Sequence, residues 1–261
     1  MKTNKKTAPK KIRRILAAAL ACVLLLTGGS AAYVADYYRA DPEAVAVFSA
    51  DAAAAAVSQE TPQKGVAAFI PPSPEAGFIF YPGGKVEAEA YIPLMEACAA
   101  RGVLCLLTEM PLRLAVLDPD AAEGLPALYP QVKHWYIGGH SLGGAMASAY
   151  VSEHADAFAG IVLLGAYASA DLSETHLRAL CLYGSEDGVL NREKYEQNRG
   201  NLPPDFTETV IEGGCHAGFG AYGPQKRDGV PVISREAQMV FTAEAIAAFV
   251  SSGQNGADGL T

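Results

Sequence analysis

The stretch that decides the fold is Ile137-Gly138-Gly139-His140-Ser141-Leu142-Gly143-Gly144. An apolar run, His134 to Ile137, precedes it, and an alanine-rich segment with helical spacing, Ala145 to Glu153, follows it. The stretch therefore reads as strand, tight turn, helix. Within it, Gly139-His140-Ser141-Leu142-Gly143 matches G-x-S-x-G, the turn that presents a serine at the carboxyl edge of a sheet. Glycines two residues either side of Ser141 leave room where strand and helix nearly touch, and the strained turn pushes the hydroxyl outward.

Working outward, the pattern alternates. Apolar runs predict strands at Ala44 to Ala50, Gly65 to Ile70, Gly77 to Tyr81, Val103 to Leu107, Trp135 to Gly138, Phe158 to Leu164, Ala179 to Tyr183 and Phe206 to Ile211. Helical spacing predicts helices at Ala88 to Arg101, Asp118 to Leu128, Gly143 to His154, Asn191 to Gly200 and Ser234 to Val250. Strands that are apolar throughout, separated by helices, imply an α/β class: a mostly parallel central sheet with helices on both faces. Ligands of such sheets bind beyond the carboxyl ends of the strands.

A nucleophilic serine needs a base to take its proton and an acid to orient that base. Downstream of Ser141, the strand ending at Tyr183 runs into Gly184-Ser185-Glu186-Asp187-Gly188, and the strand ending at Ile211 runs into Glu212-Gly213-Gly214-Cys215-His216-Ala217-Gly218-Phe219. Serine, acid and histidine thus arrive in that chain order at strand ends. Asp187 is the expected acid, with Glu186 or Asp171 as alternatives, and His216 the expected base. His134, His140, His154 and His176 read as structural or solvated, with His140 turned away from the nucleophile. Two backbone N–H donors are also needed for an oxyanion. Leu142 supplies one; the loop Pro82-Gly83-Gly84-Lys85 supplies the other, from Gly84 or Lys85.

The chain has 261 residues and a net charge of −8. Seven of its Lys and Arg lie in residues 1–14, which leaves 13 basic against 28 acidic side chains in the remainder, a net −15. Such a body is repelled by nucleic acid. Residues 1–14 read as a basic cytoplasmic head, and residues 15–35, which carry no charge, as a membrane anchor or uncleaved signal segment placing residues 36–250 outside the cell. The competing reading is a cleaved signal peptide with its site near Ser30-Ala31-Ala32, giving a secreted protein. Residues 251–261 read as a flexible tail. Five cysteines show no C-x-x-C pair, and neither they nor the histidines have metal-ligand spacing, so no metal or cofactor is expected.

The four motifs, Phe80 to Gly84, Gly138 to Gly144, Tyr183 to Gly188 and Gly213 to Gly220, resemble the alpha/beta-hydrolase superfamily, and within it the small alpha/beta-hydrolase family 5 group, over roughly Asp36 to Val250. In that group an Asn usually precedes the histidine and a Gln follows two residues after it; here those places hold Cys215 and Gly218. The resemblance implies hydrolysis, and members are similar to carboxylesterases and dienelactone hydrolases, although the latter would have Cys where Ser141 stands. The expected partner is a small-molecule acyl substrate carrying an ester, thioester or amide. A catalytically silent binding or scaffold protein of the same fold is the alternative from another class. Only residues 165–178 separate two strands where many lipases insert a helical lid, so little or no lid is expected.

Overall fold

The computed structural model describes residues 33, 35–46 and 56–257. The proposed anchor and basic head lie outside them, apart from Tyr33 and Ala35. From Tyr38 on, the described residues form one compact unit. Among the described residues no helix is long and apolar enough to cross a membrane.

Eight strands make one sheet: β1 (Ser58–Gln63), β2 (Val66–Ile70), β3 (Ala76–Tyr81), β4 (Val103–Thr108), β5 (His134–His140), β6 (Gly160–Leu164), β7 (Arg178–Gly184) and β8 (Asp205–Ile211). Their order is β1-β2-β4-β3-β5-β6-β7-β8. β1 and β2 are antiparallel, as are β2 and β4, and every later pairing is parallel. Residues of β3, β4 and β6 are buried on both faces, which is why their sequences are apolar without alternation.

Two cores result, one on each face. On the first, Phe78, Phe80, Tyr136 and Leu182 meet α1 (Ile92–Ala99) through Leu94 and Met95, and α4 (Arg235–Ala257) through Met239, Ala243 and Ile246. On the second, Ile79, Ile137 and Leu163 meet Ala147 and Val151 of α2 (Leu142–Glu153) and the irregular segment carrying Ala115, Leu125 and Tyr129. A short helix, α3 (Arg192–Gln197), is capped by Asn191, whose side chain accepts from the Lys194 N–H.

Three departures from the sequence expectations have local causes. Residues 42–46 are helical, not a strand, and 47–55 lie outside the described residues. The first strand is instead Ser58–Gln63, a polar, exposed edge with Pro62, so hydropathy carries no sign of it. Asp118 to Leu128 is turns closed by a 3-10 helix, Leu125–Leu128, because Pro119, Gly124 at φ 73° and Pro126 prevent a regular helix. α4 also runs on to Ala257, past the expected end at Val250. The β6–β7 connection, residues 165–177, contains neither helix nor strand, in keeping with the absence of a lid.

Phe78 has no exposed surface at the centre of the first core. Replacing it with alanine should lower unfolding stability by about 3–5 kcal/mol, as read by urea denaturation; a loss under about 1 kcal/mol would show that this core is not the one holding the sheet.

Candidate active site

The elbow is built where β5 gives way to α2. Ser141 lies at φ 52°, ψ −121°, outside the regions an L-residue prefers, and is held there by its N–H donating to the Leu164 carbonyl at 2.9 Å. The helix start presses on the end of β3: a Cβ on Gly143 would sit 2.2 Å from the Tyr81 carbonyl oxygen and 2.4 Å from that of Pro82. No residue but glycine fits there.

The strands next in the sheet carry the acid and the base to the same edge. Asp187, in the turn after β7, accepts from the Val189 and Leu190 N–H groups through Oδ1 at 2.9 and 2.8 Å. Its Oδ2 meets His216 Nδ1 at 2.8 Å, with both side chains buried. Glu186 and Asp171 are exposed, and their carboxylates hydrogen-bond at Ser185 and Ser173 instead. Burial would raise the Asp187 carboxyl, but the hydrogen bond and charge of His216, with the two N–H groups, outweigh it and hold the pKa below the ordinary carboxylate value. Asp187 is therefore ionised at neutral pH and accepts from His216 Nδ1–H. This leaves Nε2 as the free ring nitrogen.

That Nε2 is buried and makes no hydrogen bond, to Ser141 or to any other group among the described residues. Gly165, which follows the Leu164 anchor of Ser141, backs the pair. A Cβ there would lie 2.9 Å from His216 Nδ1 and 3.2 Å from Asp187 Oδ2, and its φ of 52° also favours glycine. Ser141 thus follows His140 in the chain and is bonded to the end of β6, and both His140 and Gly165 lie close to His216.

His140 is the surprise. Its buried ring packs against that of His216 at a centroid distance of 4.3 Å, a contact that chain order gave no reason to expect. Its Nδ1 lies 2.8 Å from the Tyr91 hydroxyl, which also accepts from the Gly83 N–H at 3.1 Å. Burial pushes Tyr91 up and keeps it a neutral phenol. Burial, then the charge of His216, pushes His140 well below the usual histidine value; the nearby His216 carbonyl opposes this without meeting hydrogen-bond geometry. A neutral wall thus backs the one histidine that meets a carboxylate.

The two candidate oxyanion donors in the Pro82–Lys85 loop are now distinguishable. Lys85, at φ 63°, gives its N–H to the Arg113 carbonyl at 2.8 Å, so that donor is already engaged. Gly84 N–H has no hydrogen-bond partner among the described residues. A Cβ on Gly84 would touch Leu142 Cδ2 at 2.9 Å, so this loop lies directly over the residue whose N–H opens α2. The Arg113 side chain pairs with Glu87 at 3.5 Å, so it buttresses the loop. Residues 38–41 strap the same region. Tyr38 N–H donates to the Lys85 carbonyl at 2.7 Å, Glu87 N–H to that of Tyr38 at 3.0 Å, and Asp41 N–H to that of Ala221 at 2.8 Å.

Gly218 has a tertiary explanation, and so does the course of the backbone at Cys215. Gln238 of α4 accepts from the Cys215 N–H at 3.0 Å and donates to its carbonyl at 2.8 Å. A Cβ at Gly218 would fall 2.0 Å from Gln238 Oε1. An amide from a distant helix thus occupies the space that a side chain at 218 would need. A cavity of about 470 Å³ lies behind this loop, lined by residues such as Cys215, Tyr222 and Gln238, and not by Ser141. The four described cysteines are free and buried. Among the described residues no group of three or more His, Cys, Asp or Glu is placed to hold a metal.

The family profile described as "Alpha/beta hydrolase family" matches residues 77–240, well over half of the chain. The chain belongs to the alpha/beta hydrolase family. No curated protein matches this hydrolase in sequence. Among solved structures it is similar to TT1662 from Thermus thermophilus, at 17% identity and a TM-score of 0.55 over 76% of this chain and 98% of that one. It is similar to a structure from work on the metagenome-derived lipolytic enzymes LipS and LipT, at 14% identity, TM-score 0.52, 69% and 95% coverage. It is also similar to the esterase domain of a Rhodothermus marinus protein, at 15% identity, TM-score 0.54, 70% and 90% coverage. At these identities the likeness is one of fold.

His140 carries a pH prediction. Its pKa is depressed in the folded hydrolase, so the unfolded chain binds the extra proton, and its contribution to stability is complete above the unfolded value near 6.5 and shrinks as pH falls below it. The melting temperature should therefore drop from pH 7 to pH 5 less steeply in His140→Gln than in wild type; identical slopes would count against a buried, neutral His140.

Proposed function

We propose that this hydrolase is a serine esterase acting on a small substrate. The observation that carries the reading is the buried Asp187–His216 bond at 2.8 Å, at the sheet edge that also carries a serine in the strained elbow conformation. Ser141 Oγ attacks the carbonyl carbon while His216 Nε2 takes its proton. Asp187, ionised throughout, keeps the other ring proton on Nδ1 and balances the imidazolium. The oxyanion forms against the N–H groups of Leu142 and Gly84. His216 then protonates the leaving group, the carbon–oxygen bond breaks, and an acyl-Ser141 ester remains. Water, deprotonated by His216, attacks that ester and returns Ser141 to its hydroxyl form.

The neutral His140 favours this cycle, because a second cation against His216 would oppose its protonation. The irregular β6–β7 connection leaves the site without a helical cover, which suits small, soluble substrates. We further propose that the uncharged residues 15–35 tether the catalytic body outside the cell membrane; the support is the sequence alone, basic before that stretch and acidic after it.

A fluorophosphonate should label wild type at Ser141. Ser141→Ala should lose both label and ester turnover, the latter by roughly 10⁴- to 10⁶-fold. Equal labelling of the variant, or none of the wild type, sinks the esterase reading in favour of a silent fold. A panel of short-chain esters, thioesters and amides ranks the acyl classes. Intact mass of the cell-associated protein should include residues 1–35, whereas a new amino terminus near Tyr33 in the medium would replace the tether with a cleaved signal.

A further inference from the structure

One carboxylate outside the Ser141–Asp187–His216 set joins the loops that carry the last two. Asp228 lies between the His216 turn and α4. Its Oδ1 accepts from the N–H of Gly188, next to Asp187, at 3.2 Å, and from the N–H of His216 itself at 3.1 Å. Its Oδ2 accepts from Ala217 N–H at 2.7 Å, and Oδ1 takes a further bond from its own neighbour Gly229 at 2.9 Å. Four backbone donors from three loop segments thus converge on a single side chain.

The backbones behind these bonds are in direct contact. A Cβ on Gly188 would sit 2.5 Å from the Arg227 carbonyl oxygen, and one on Gly229 would sit 2.0 Å from that of Glu186. The segment 227–229 is therefore wedged against the turn of Asp187 on one side and bonded to the turn of His216 on the other. Hydrogen bonds from N–H to a carboxylate are stronger than those to neutral acceptors, so this junction resists opening. Its charge is felt nearby: after burial, Asp228 is the main cause that pushes the Cys215 thiol up to about 11.

A histidine that must gain and lose a proton while keeping its Nδ1–H aimed at one carboxylate oxygen needs its own backbone held relative to the backbone of that acid. The pairing of β7 with β8 ends at Gly184 and Ile211, and the backbone bonds that follow, from Ser185 N–H to the Ile211 carbonyl and from Glu186 N–H to that of Gly214, stop short of Asp187 and His216 themselves. We propose that Asp228 is a positioning residue of the active site, which fixes the separation of the Asp187 and His216 loops and so keeps the His216–Asp187 bond in register. The inference rests on the serine-esterase reading for its kinetic consequence, but not for its structural one.

The test uses the full chain and two variants, Asp228→Ala and Asp228→Asn. In Asp228→Ala, kcat on a short-chain ester should fall about 10- to 100-fold, with KM changed much less. The rate of fluorophosphonate labelling should fall in parallel. Asp228→Asn keeps one oxygen acceptor but turns an NH₂ toward N–H donors, so it should lie between alanine and wild type. The discriminating readout is the far-downfield proton resonance of His216 Nδ1–H, recorded in folded protein and assigned through its absence in His216→Gln. It should weaken or shift in both Asp228 variants. If the resonance is unchanged and any loss of kcat follows the loss of folded protein, Asp228 is only structural and the proposal fails. If wild type neither labels nor turns over esters, the esterase reading fails, and the resonance still decides whether Asp228 holds the pair.

Discussion

The structure depends on a near-collision of backbones at the carboxyl end of the sheet. β3, β5 and β6 end side by side, and α2 must leave at once from the top of β5. The space between the start of α2 and the Tyr81–Pro82 backbone is so small that Gly143 cannot bear a Cβ. The chain meets this constraint by forcing Ser141 to positive φ, and a serine so placed has its hydroxyl carried out of the sheet. The same closeness brings the Gly83–Gly84 loop over Leu142. Strain and proximity at the elbow are consequences of one packing requirement.

Around that point the polar groups are arranged so that, of the two packed histidines, one meets a carboxylate and the other a phenol. His216 has a buried carboxylate partner. His140, packed against it, has the hydroxyl of a neutral phenol. A carboxylate stabilises an imidazolium, whereas burial beside another imidazole disfavours one. The Tyr91 hydroxyl also receives the Gly83 N–H, so the wall behind His216 is continuous with the loop that offers Gly84. His216 and the Gly83–Gly84 loop are therefore braced by one buried network.

The loops themselves are braced from outside the sheet. Gln238 holds both backbone groups of Cys215, Asp228 bridges the turns of Asp187 and His216, and residues 38–41 bind the loops before α1 and after His216. Each brace satisfies backbone groups that the strand ladder can no longer reach once the strands have ended. This is why a Gly stands two residues after His216: the Gln238 amide already fills the place above Gly218.

The sequence by itself determined the class of fold and the order in which serine, acid and histidine meet the sheet edge. Those features are written locally, in continuous apolar runs such as Val103 to Leu107 and in glycine-rich turns directly after them. It did not reveal β1, whose polar residues sit on an exposed edge and need no hydrophobic signature. Only the tertiary structure decided that Asp187, not Glu186 or Asp171, faces His216, and that the Lys85 N–H is taken by the Arg113 carbonyl while that of Gly84 has no partner among the described residues. Those choices turn on contacts between chain segments far apart: Tyr91 and His140 are 49 positions apart, and Asp187 and His216 are 29. Hydropathy and spacing report what a residue's neighbours along the chain require. Which donor meets which acceptor across closed loops is determined only when the sheet brings the loops together.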